Sequence, residues 1–134
     1  MKIRNFIIFV LINILIAINS NAQNIDKNIS EQLVIASNEI NKNLPKIIDK
    51  DTQLDSTGFF GNTFISTYTL INLKSHQVTE DMKKFLYNQV VNGYCSGIGD
   101  MKLFKDNNIV LNVNYRGIDG KFATAISVNA SKCK

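Results

Sequence analysis

The last quarter of the chain alternates between apolar and polar positions with a period of two. In residues 109–115 the odd-numbered positions are apolar and lie on one face, and asparagines occupy positions 112 and 114 on the other face. Residues 121–129 alternate again, with Phe122, Ile126 and Val128 on one face that only Thr124 interrupts. Asp119-Gly120 between them can supply the positive φ angles of a tight turn. The pattern predicts a hairpin of two half-buried strands, whose apolar face another element must cover.

Two amphipathic helices are predicted earlier in the chain from apolar residues that recur at intervals of three and four. The first helix starts at Asn28 or Ser30 and should end or kink at Pro45, the single proline. The second starts after a Thr79 cap and ends near Gly93. Their apolar stripes are Leu33, Ala36, Ile40 and Leu44 in the first helix, and Met82, Phe85, Leu86 and Val90 in the second. A short third helix is expected from Asp100 to Lys105.

Residues 52–57 and 63–73 are predicted to form another hairpin. The second of these runs is rich in Thr, Ile, Phe and Tyr and has apolar residues on both faces, which is typical of an interior strand. The main elements follow the order α-β-β-α-β-β. We therefore expect an α+β fold: a two-layer sandwich in which two main helices cover one face of a four-stranded antiparallel sheet.

The N-terminus has the three-part pattern of a secretory signal peptide. Lys2 and Arg4 precede an apolar run at residues 6–18, and Ser20 and Ala22 place small residues before Gln23. The alternative is a retained anchor, but the run is shorter than the roughly 20 residues that span a bilayer. We expect a signal peptide at residues 1–22 and a single domain at residues 23–134. The protein should be exported, either periplasmic or secreted, with no stable membrane anchor after cleavage.

The charge of the chain gives no support to a nucleic-acid partner. The full sequence carries +4, from 15 basic and 11 acidic residues. Loss of residues 1–22 removes Lys2 and Arg4 and no acid, so the mature charge is 13 − 11, or +2. The remaining lysines are scattered, whereas a nucleic-acid binder usually has a concentrated basic face. Gly97-Ile98-Gly99 lacks the lysine of a phosphate-binding loop, and we expect no cofactor.

Cys95 and Cys133 are the only cysteines in the chain. An even number of cysteines in an exported protein predicts a disulfide bond, because the compartment is oxidising. A redox pair or a metal site is the alternative. The sequence has no Cys-x-x-Cys motif, and two cysteines with one histidine make a poor zinc site, so we expect a structural bridge and no metal.

Two groups of residues could carry catalysis. His76, the only histidine, lies beside Ser75, but neighbouring residues rarely have the geometry of a catalytic triad. Asp49, Asp51 and Asp55 could form a hydrolytic carboxylate pair or bind a divalent cation, although the glycine and glutamate of a calcium loop are missing. Turn and cap chemistry explains these aspartates more simply, and we assign no catalytic residue.

Phe59 and Phe60 are the candidate binding residues. They are adjacent aromatic residues between two glycines, at the predicted tip of a hairpin. Exposed aromatic side chains often anchor a protein partner, although one or both could instead fold back onto the sheet. The uncovered face of the sheet is a second candidate for ligand contact or homodimer formation.

Several short segments also suggest a family. They are Asn43-Leu44-Pro45-Lys46, Asp49-Lys50-Asp51-Thr52, Leu54-Asp55-Ser56, Gly61-Asn62-Thr63-Phe64 and Tyr68-Thr69-Leu70, together with the paired Cys95 and Cys133. Over most of residues 30–133 the chain resembles a family of small exported bacterial proteins of unknown function. The resemblance implies an envelope location and one compact domain, and it transfers no catalytic residue.

These observations favour a small secreted or periplasmic binding protein without catalytic activity, whose partner is another protein. An inhibitor or an immunity-type partner is one specific form of this hypothesis. The alternatives are an envelope hydrolase that uses Asp49, Asp51 or Asp55, and a self-associating envelope component. Alanine substitutions at the aspartates and the oligomeric state in solution would separate the three classes.

Overall fold

The structure is a computed structural model that describes residues 25–133, so the predicted signal peptide at 1–22 lies outside the described residues. The elements, in chain order, are α1 (Ile25–Asn41), β1 (Lys46–Asp49), β2 (Thr52–Phe60), β3 (Thr63–Leu70), α2 (Glu80–Cys95), α3 (Asp100–Asp106), β4 (Val110–Gly117) and β5 (Phe122–Val128). Short 3-10 turns cover Ser75–Gln77 and Ala130–Lys132. No helix within residues 25–133 has the length and apolar character needed to cross a membrane.

The five strands form one mixed sheet in the order β1-β2-β3-β4-β5. β3 and β4 run parallel, and the other neighbours run antiparallel. The α+β class is confirmed, but the expected four-stranded antiparallel sheet is wrong in strand number and in one pairing. Parallel strands need a long connection, and α2 and α3 supply it by returning the chain from the end of β3 to the start of β4.

The fifth strand comes from the residues directly after Pro45, for which the sequence pattern predicted no strand. α1 ends at Asn41, before the cis bond between Leu44 and Pro45. Lys46 then pairs with Leu54 and starts the edge strand β1. Strand β1 has only four residues and no apolar alternation of its own, so its pairing with β2 was needed to identify it.

All three helices cover the same face of the sheet, which confirms the two-layer arrangement. The large apolar side chains that the strands bury on this face are Leu54, Phe59, Phe64, Tyr68, Leu70, Leu111, Val113, Tyr115, Ile126 and Val128. From α1, Leu33, Ala36 and Ile40 are buried, as their spacing predicted. Thr79 caps α2 by accepting from the Met82 N–H, whereas Phe85 of the predicted stripe is partly exposed. The other face of the sheet is uncovered and mainly polar within the described residues.

A β-bulge changes which side chains of the C-terminal hairpin point toward the core. Tyr115 pairs with Thr124, but Arg116 pairs with Phe122, so Ala123 is an extra residue in β5. Ala123 therefore takes the buried position, and Phe122 turns to the open face with 67% of its surface exposed. The strict alternation predicted from the sequence is correct for Ile126 and Val128 and wrong for Phe122, because a bulge shifts the register by one residue.

The end of α2 is fixed to the rest of the fold at two points. The buried Tyr94 hydroxyl donates to the Ile109 carbonyl at 2.7 Å and lies 3.3 Å from the Phe104 carbonyl. Cys95, the next residue, forms a disulfide bond with Cys133, which is the pairing that the sequence predicted. These contacts hold the connection between α2 and β4, and the end of the described chain, against the helix layer.

Candidate binding site at the β2–β3 turn

The β2–β3 hairpin ends in a tight turn at Gly61-Asn62. Phe60 and Thr63 are the last paired residues, and Gly61 has a φ of 62°, which glycine adopts without strain. The Asn62 carbonyl accepts from the Val110 N–H at 2.9 Å, which ties the turn to the start of β4. The strands predicted at 52–57 and 63–73 left residues 58–62 as the connecting loop. In the structure the loop is only Gly61-Asn62, and Phe59 and Phe60 both belong to β2.

Phe59 and Phe60 point to opposite faces of the sheet, since successive residues of a strand alternate. Phe59 is 7% exposed and belongs to the core, whereas Phe60 is 72% exposed. Only one of the two predicted binding residues is therefore available to a partner. The structure of the free protein also shows that a variant lacking both rings would lose core packing together with the surface ring.

The exposed Phe60 ring folds back over Gly58. A Cβ atom built on Gly58 would lie 3.1 Å from a Phe60 ring carbon, so the ring occupies the space that a side chain would fill. Gly58 and Phe60 are two residues apart and share the open face. The ring therefore rests on the sheet and presents its other side to solvent, which limits the side-chain entropy that it would lose on binding a partner.

A cleft opens on the helix side of the same turn, with a volume of about 320 Å³. Its apolar part comes from Ile29, Phe59 and Ile109, and Asn62 and Asn107 contribute amide groups. The volume is near the lower end of the range for small-molecule pockets. The lining residues come from α1, the β2–β3 turn and the segment between α3 and β4. No sequence motif brings these three segments together, so the cleft could not be predicted from the sequence.

The three candidate aspartates do not converge on one site. The Asp49 Oδ1 atom accepts from the Asp51 N–H at 2.8 Å, and the Asp51 Oδ1 atom accepts from Asn72 Nδ2 at 2.8 Å. Asp55 is the bulge residue of β2 on the open face, where it accepts from Gln53 and Thr69. Within residues 25–133 no three His, Cys, Asp or Glu side chains are grouped so that they could hold a metal ion. The observed bonds fit the turn and strand chemistry that was the simpler interpretation.

His76 lies exposed in the 3-10 turn of residues 75–77. The Ser75 hydroxyl donates directly to the Asp119 carboxylate at 2.8 Å, and the Ser75 N–H donates to the same group. These hydrogen bonds lower the pKa of Asp119. In a catalytic triad the histidine stands between the hydroxyl and the acid, and here the two are bonded to each other. The contact joins the loop before α2 to the turn between β4 and β5.

Asp100, the first residue of α3, is the other carboxylate with a shifted pKa. Burial raises its pKa from 3.8 to about 6, and its Oδ2 atom has no hydrogen-bond partner within the described chain. A raised pKa means that folding disfavours the charged form. The protein should therefore lose stability through this group as the pH rises from about 4 to about 6.

We expect Asp100→Asn to be more stable than the natural protein at pH 8, by about 1 kcal/mol after allowance for the partial exposure of the carboxylate. At pH 4 the difference should be close to zero. Urea unfolding at pH 4, 6 and 8 measures both values. A loss of stability at pH 8 would instead show that the charge at the start of α3 is favourable.

Comparison with known proteins gave similarity of structure only. No protein-family model matches the sequence, and no curated protein is similar to it. A Pseudomonas aeruginosa protein thought to be secreted has a TM-score of 0.67 at 17% identity, over 85% of this chain and 100% of that chain. The pilotin EpsS of the Vibrio vulnificus type 2 secretion system has a TM-score of 0.64 at 13% identity, over 82% of this chain and 96% of its own.

A second pilotin gives a similar result. AspS of the Vibrio cholerae type II secretion system has a TM-score of 0.61 at 13% identity, over 81% of this chain and 95% of its own. These identities are low, so the comparisons establish a shared fold over nearly the whole of each chain. The family resemblance, which covers most of residues 30–133, stays a prediction.

Proposed function

We propose that this chain is a small exported protein that binds another protein and catalyses no reaction. The observation that carries the proposal is the Phe60 ring, which is 72% exposed, lies on the sheet over Gly58 and is next to a tight turn. An aromatic ring held in this way is a suitable anchor for an interface, since large, pre-organised aromatic side chains dominate the binding energy of many interfaces.

The shared fold supports an envelope setting for this partner. Two of the similar structures are pilotins of type II secretion systems, and a third belongs to a protein thought to be secreted. We therefore propose that the partner is a protein of the cell envelope, and that residues 1–22 direct the chain there. An inhibitor or immunity-type role is the narrower form, in which the partner is an enzyme or toxin whose activity falls on binding.

Phe60→Ala should abolish capture of the partner. The test uses oxidised protein of residues 23–134 as bait for envelope and secreted fractions, with mass spectrometry to identify what is bound. Truncating a central aromatic anchor costs about 2 kcal/mol or more, which is roughly a 30-fold loss of affinity. Phe122→Ala is the matched control, because Phe122 is similarly exposed on the same face but lies on β5. Both variants should keep the thermal stability of the natural protein.

Three results would change the proposal. Equal losses in Phe60→Ala and Phe122→Ala would move the contact to the whole open face of the sheet. Retention of the partner in both variants would leave the cleft as the site, which Asn62→Ala would test. No specific partner, together with a concentration-dependent dimer in sedimentation, would replace the proposal with the self-associating alternative.

A further inference from the structure

The sheet ends at β5, and this edge is less protected than the opposite one. Strand β1 at the other edge has four residues, two of them charged; it follows Pro45 directly and has an irregular register. Strand β5 has seven residues, none of them charged and none of them proline. Short edge strands, charges, prolines and bulges prevent a further strand from pairing. The only such device in β5 is the bulge at Ala123, near its start, so the rest of the strand can accept another strand.

The hydrogen bonds of β4 show which backbone groups of β5 point outward. The Val110 N–H donates to the Asn62 carbonyl, on the side of β3, and the Gly117 N–H donates to the Lys121 carbonyl, on the side of β5. The backbone N–H groups of a strand point alternately to its two neighbours. The odd-numbered residues of β4 therefore bond to β5, and the even-numbered residues bond to β3.

Two residues of β5 direct their backbone groups away from the sheet. Thr124, Ile126 and Val128 pair with odd-numbered residues of β4, so their N–H and carbonyl groups are used there. Ala125 and Ser127 alternate with them, so their N–H and carbonyl groups face the edge. Both residues are exposed, and within residues 25–133 no loop or side chain bonds to their backbone. These four groups match the hydrogen-bonding pattern of one added strand.

Helix α2 provides an apolar wall beside the same edge. The helix packs next to β5, and its Cys95 is bonded to Cys133, which follows β5 in the chain. Tyr87, Val91 and Cys95 are spaced four residues apart, so they form one stripe along the helix. The stripe therefore runs along the β5 side of the helix layer. Tyr87 is 41% exposed and Val91 is half-buried, so side chains of an added strand can contact both.

The surroundings of the β5 edge are basic. Lys121 comes directly before β5, Lys132 lies in the 3-10 turn after it, and Lys84 precedes the apolar stripe by one turn of α2. All three are exposed, and no ion pair within the described residues includes them. Two acids nearby are already bonded within the chain, Glu80 to a lysine of α2 and Asp119 to the loop before α2. Pairing of two copies would bring like charges together, whereas an acidic segment would neutralise them.

We propose that an extended, acidic segment of the protein partner adds a sixth strand to the sheet at β5. Its backbone exchanges hydrogen bonds with Ala125 and Ser127. Apolar side chains at alternate positions of the segment cover Tyr87 and Val91, and acidic residues at its ends meet the lysines. The inference rests on the proposed function in one respect, which is that the segment belongs to a protein.

The β5 edge is separate from the Phe60 ring. Phe60 is on β2, three strand spacings from β5, or about 14 Å across the sheet. A single partner can therefore contact both places, and each can be tested without the other.

The test uses the synthetic peptide acetyl-Glu-Val-Thr-Val-Thr-Val-Glu-amide as the probe. Backbone amide NMR spectra of oxidised, ¹⁵N-labelled protein (residues 23–134) are recorded during titration with the peptide. We expect saturable shifts that are largest at the Ala125 and Ser127 amides. The control peptide is N-methylated at its five central residues, which keeps every side chain and charge but removes the backbone donors. It should bind at least about tenfold more weakly, because main-chain hydrogen bonds supply the affinity of an added strand.

Ser127→Pro and Ser127→Ala form a matched pair of variants. Both remove the serine hydroxyl, and only the proline removes the outward N–H, which is not bonded to β4. We expect peptide binding to weaken at least about tenfold in Ser127→Pro and less than about twofold in Ser127→Ala, since an edge strand accepts proline where its N–H faces solvent. The NMR spectrum of Ser127→Pro without peptide shows whether the fold is kept.

A charge reversal tests the edge without a change in β5. Lys84→Glu combined with Lys121→Glu should weaken binding of the acidic peptide about fivefold, because attraction becomes repulsion at two positions. Lys50→Glu is the control, since Lys50 is exposed in the turn between β1 and β2 at the other edge of the sheet. It should bind the peptide as the natural protein does.

Four results would overturn the proposal. They are equal binding of the two peptides, no saturable shift, unchanged binding in both Ser127→Pro and the double lysine variant, and shifts at Ala125 and Ser127 that follow protein concentration without peptide. The last result would assign the edge to a second copy of the chain. Phe60→Ala should bind the peptide normally. Failure of peptide binding while partner capture still depends on Phe60 would remove only this inference, and peptide binding without any captured partner would remove only the proposed function.

Discussion

Removal of the Cys95–Cys133 bond will lower the free energy of unfolding by about 4 kcal/mol. The bond closes a loop with a sequence separation of 38 residues, and the chain-entropy estimate for a loop of this length gives that value. The loop includes α3, β4 and β5, which together make up more than a quarter of the chain. Reduction of the bond removes the restriction on this segment in the unfolded state. Both cysteines also pack against the core, which adds to the loss when they are replaced.

Urea unfolding of the natural protein with and without dithiothreitol measures this effect. Cys95→Ser with Cys133→Ser provides the control, because the reductant should then have no influence. A difference below about 1 kcal/mol would mean that the unfolded state is already restricted in this region, or that the bond strains the folded state.

Gly117→Ala should destabilise the fold by about 3 kcal/mol. A Cβ atom on Gly117 would lie 2.2 Å from the Ser75 backbone nitrogen and 2.7 Å from the Lys74 carbonyl carbon. Both atoms belong to backbone that the Asp119 carboxylate and the Gln77 side chain hold in place. Overpacking against fixed backbone costs in this range, since the loop must move before the methyl group fits.

Gly58→Ala is the matched control for this prediction. Its added Cβ would meet only the Phe60 ring, at 3.1 Å, and an exposed ring can rotate away. We expect a loss below about 1 kcal/mol at Gly58, measured by the same urea unfolding. Equal losses at the two positions would show that the segment before α2 is pliable and that its contact with the hairpin adds little.

The sequence by itself determined most of the helices and strands, and for many residues it also determined which side is buried. The interval of three to four residues identified α1 and α2, and the Thr79 cap placed the start of α2 correctly. The alternation in residues 109–115 correctly predicted a strand with Leu111, Val113 and Tyr115 buried. These features depend on neighbouring residues and on the period of the backbone, so the pattern of apolar and polar residues along the sequence is enough to predict them.

The tertiary structure alone decided how these elements meet. Nothing local distinguishes a parallel β3–β4 pair from an antiparallel one, and the long connection through α2 and α3 permits the parallel pair. Strand β1 exists because β2 offers it a partner, and Phe122 is exposed because the hairpin register shifts by one residue. The cleft combines residues from three distant segments. Contacts between distant segments depend on strand order and register, which are properties of the assembled sheet rather than of any stretch of sequence.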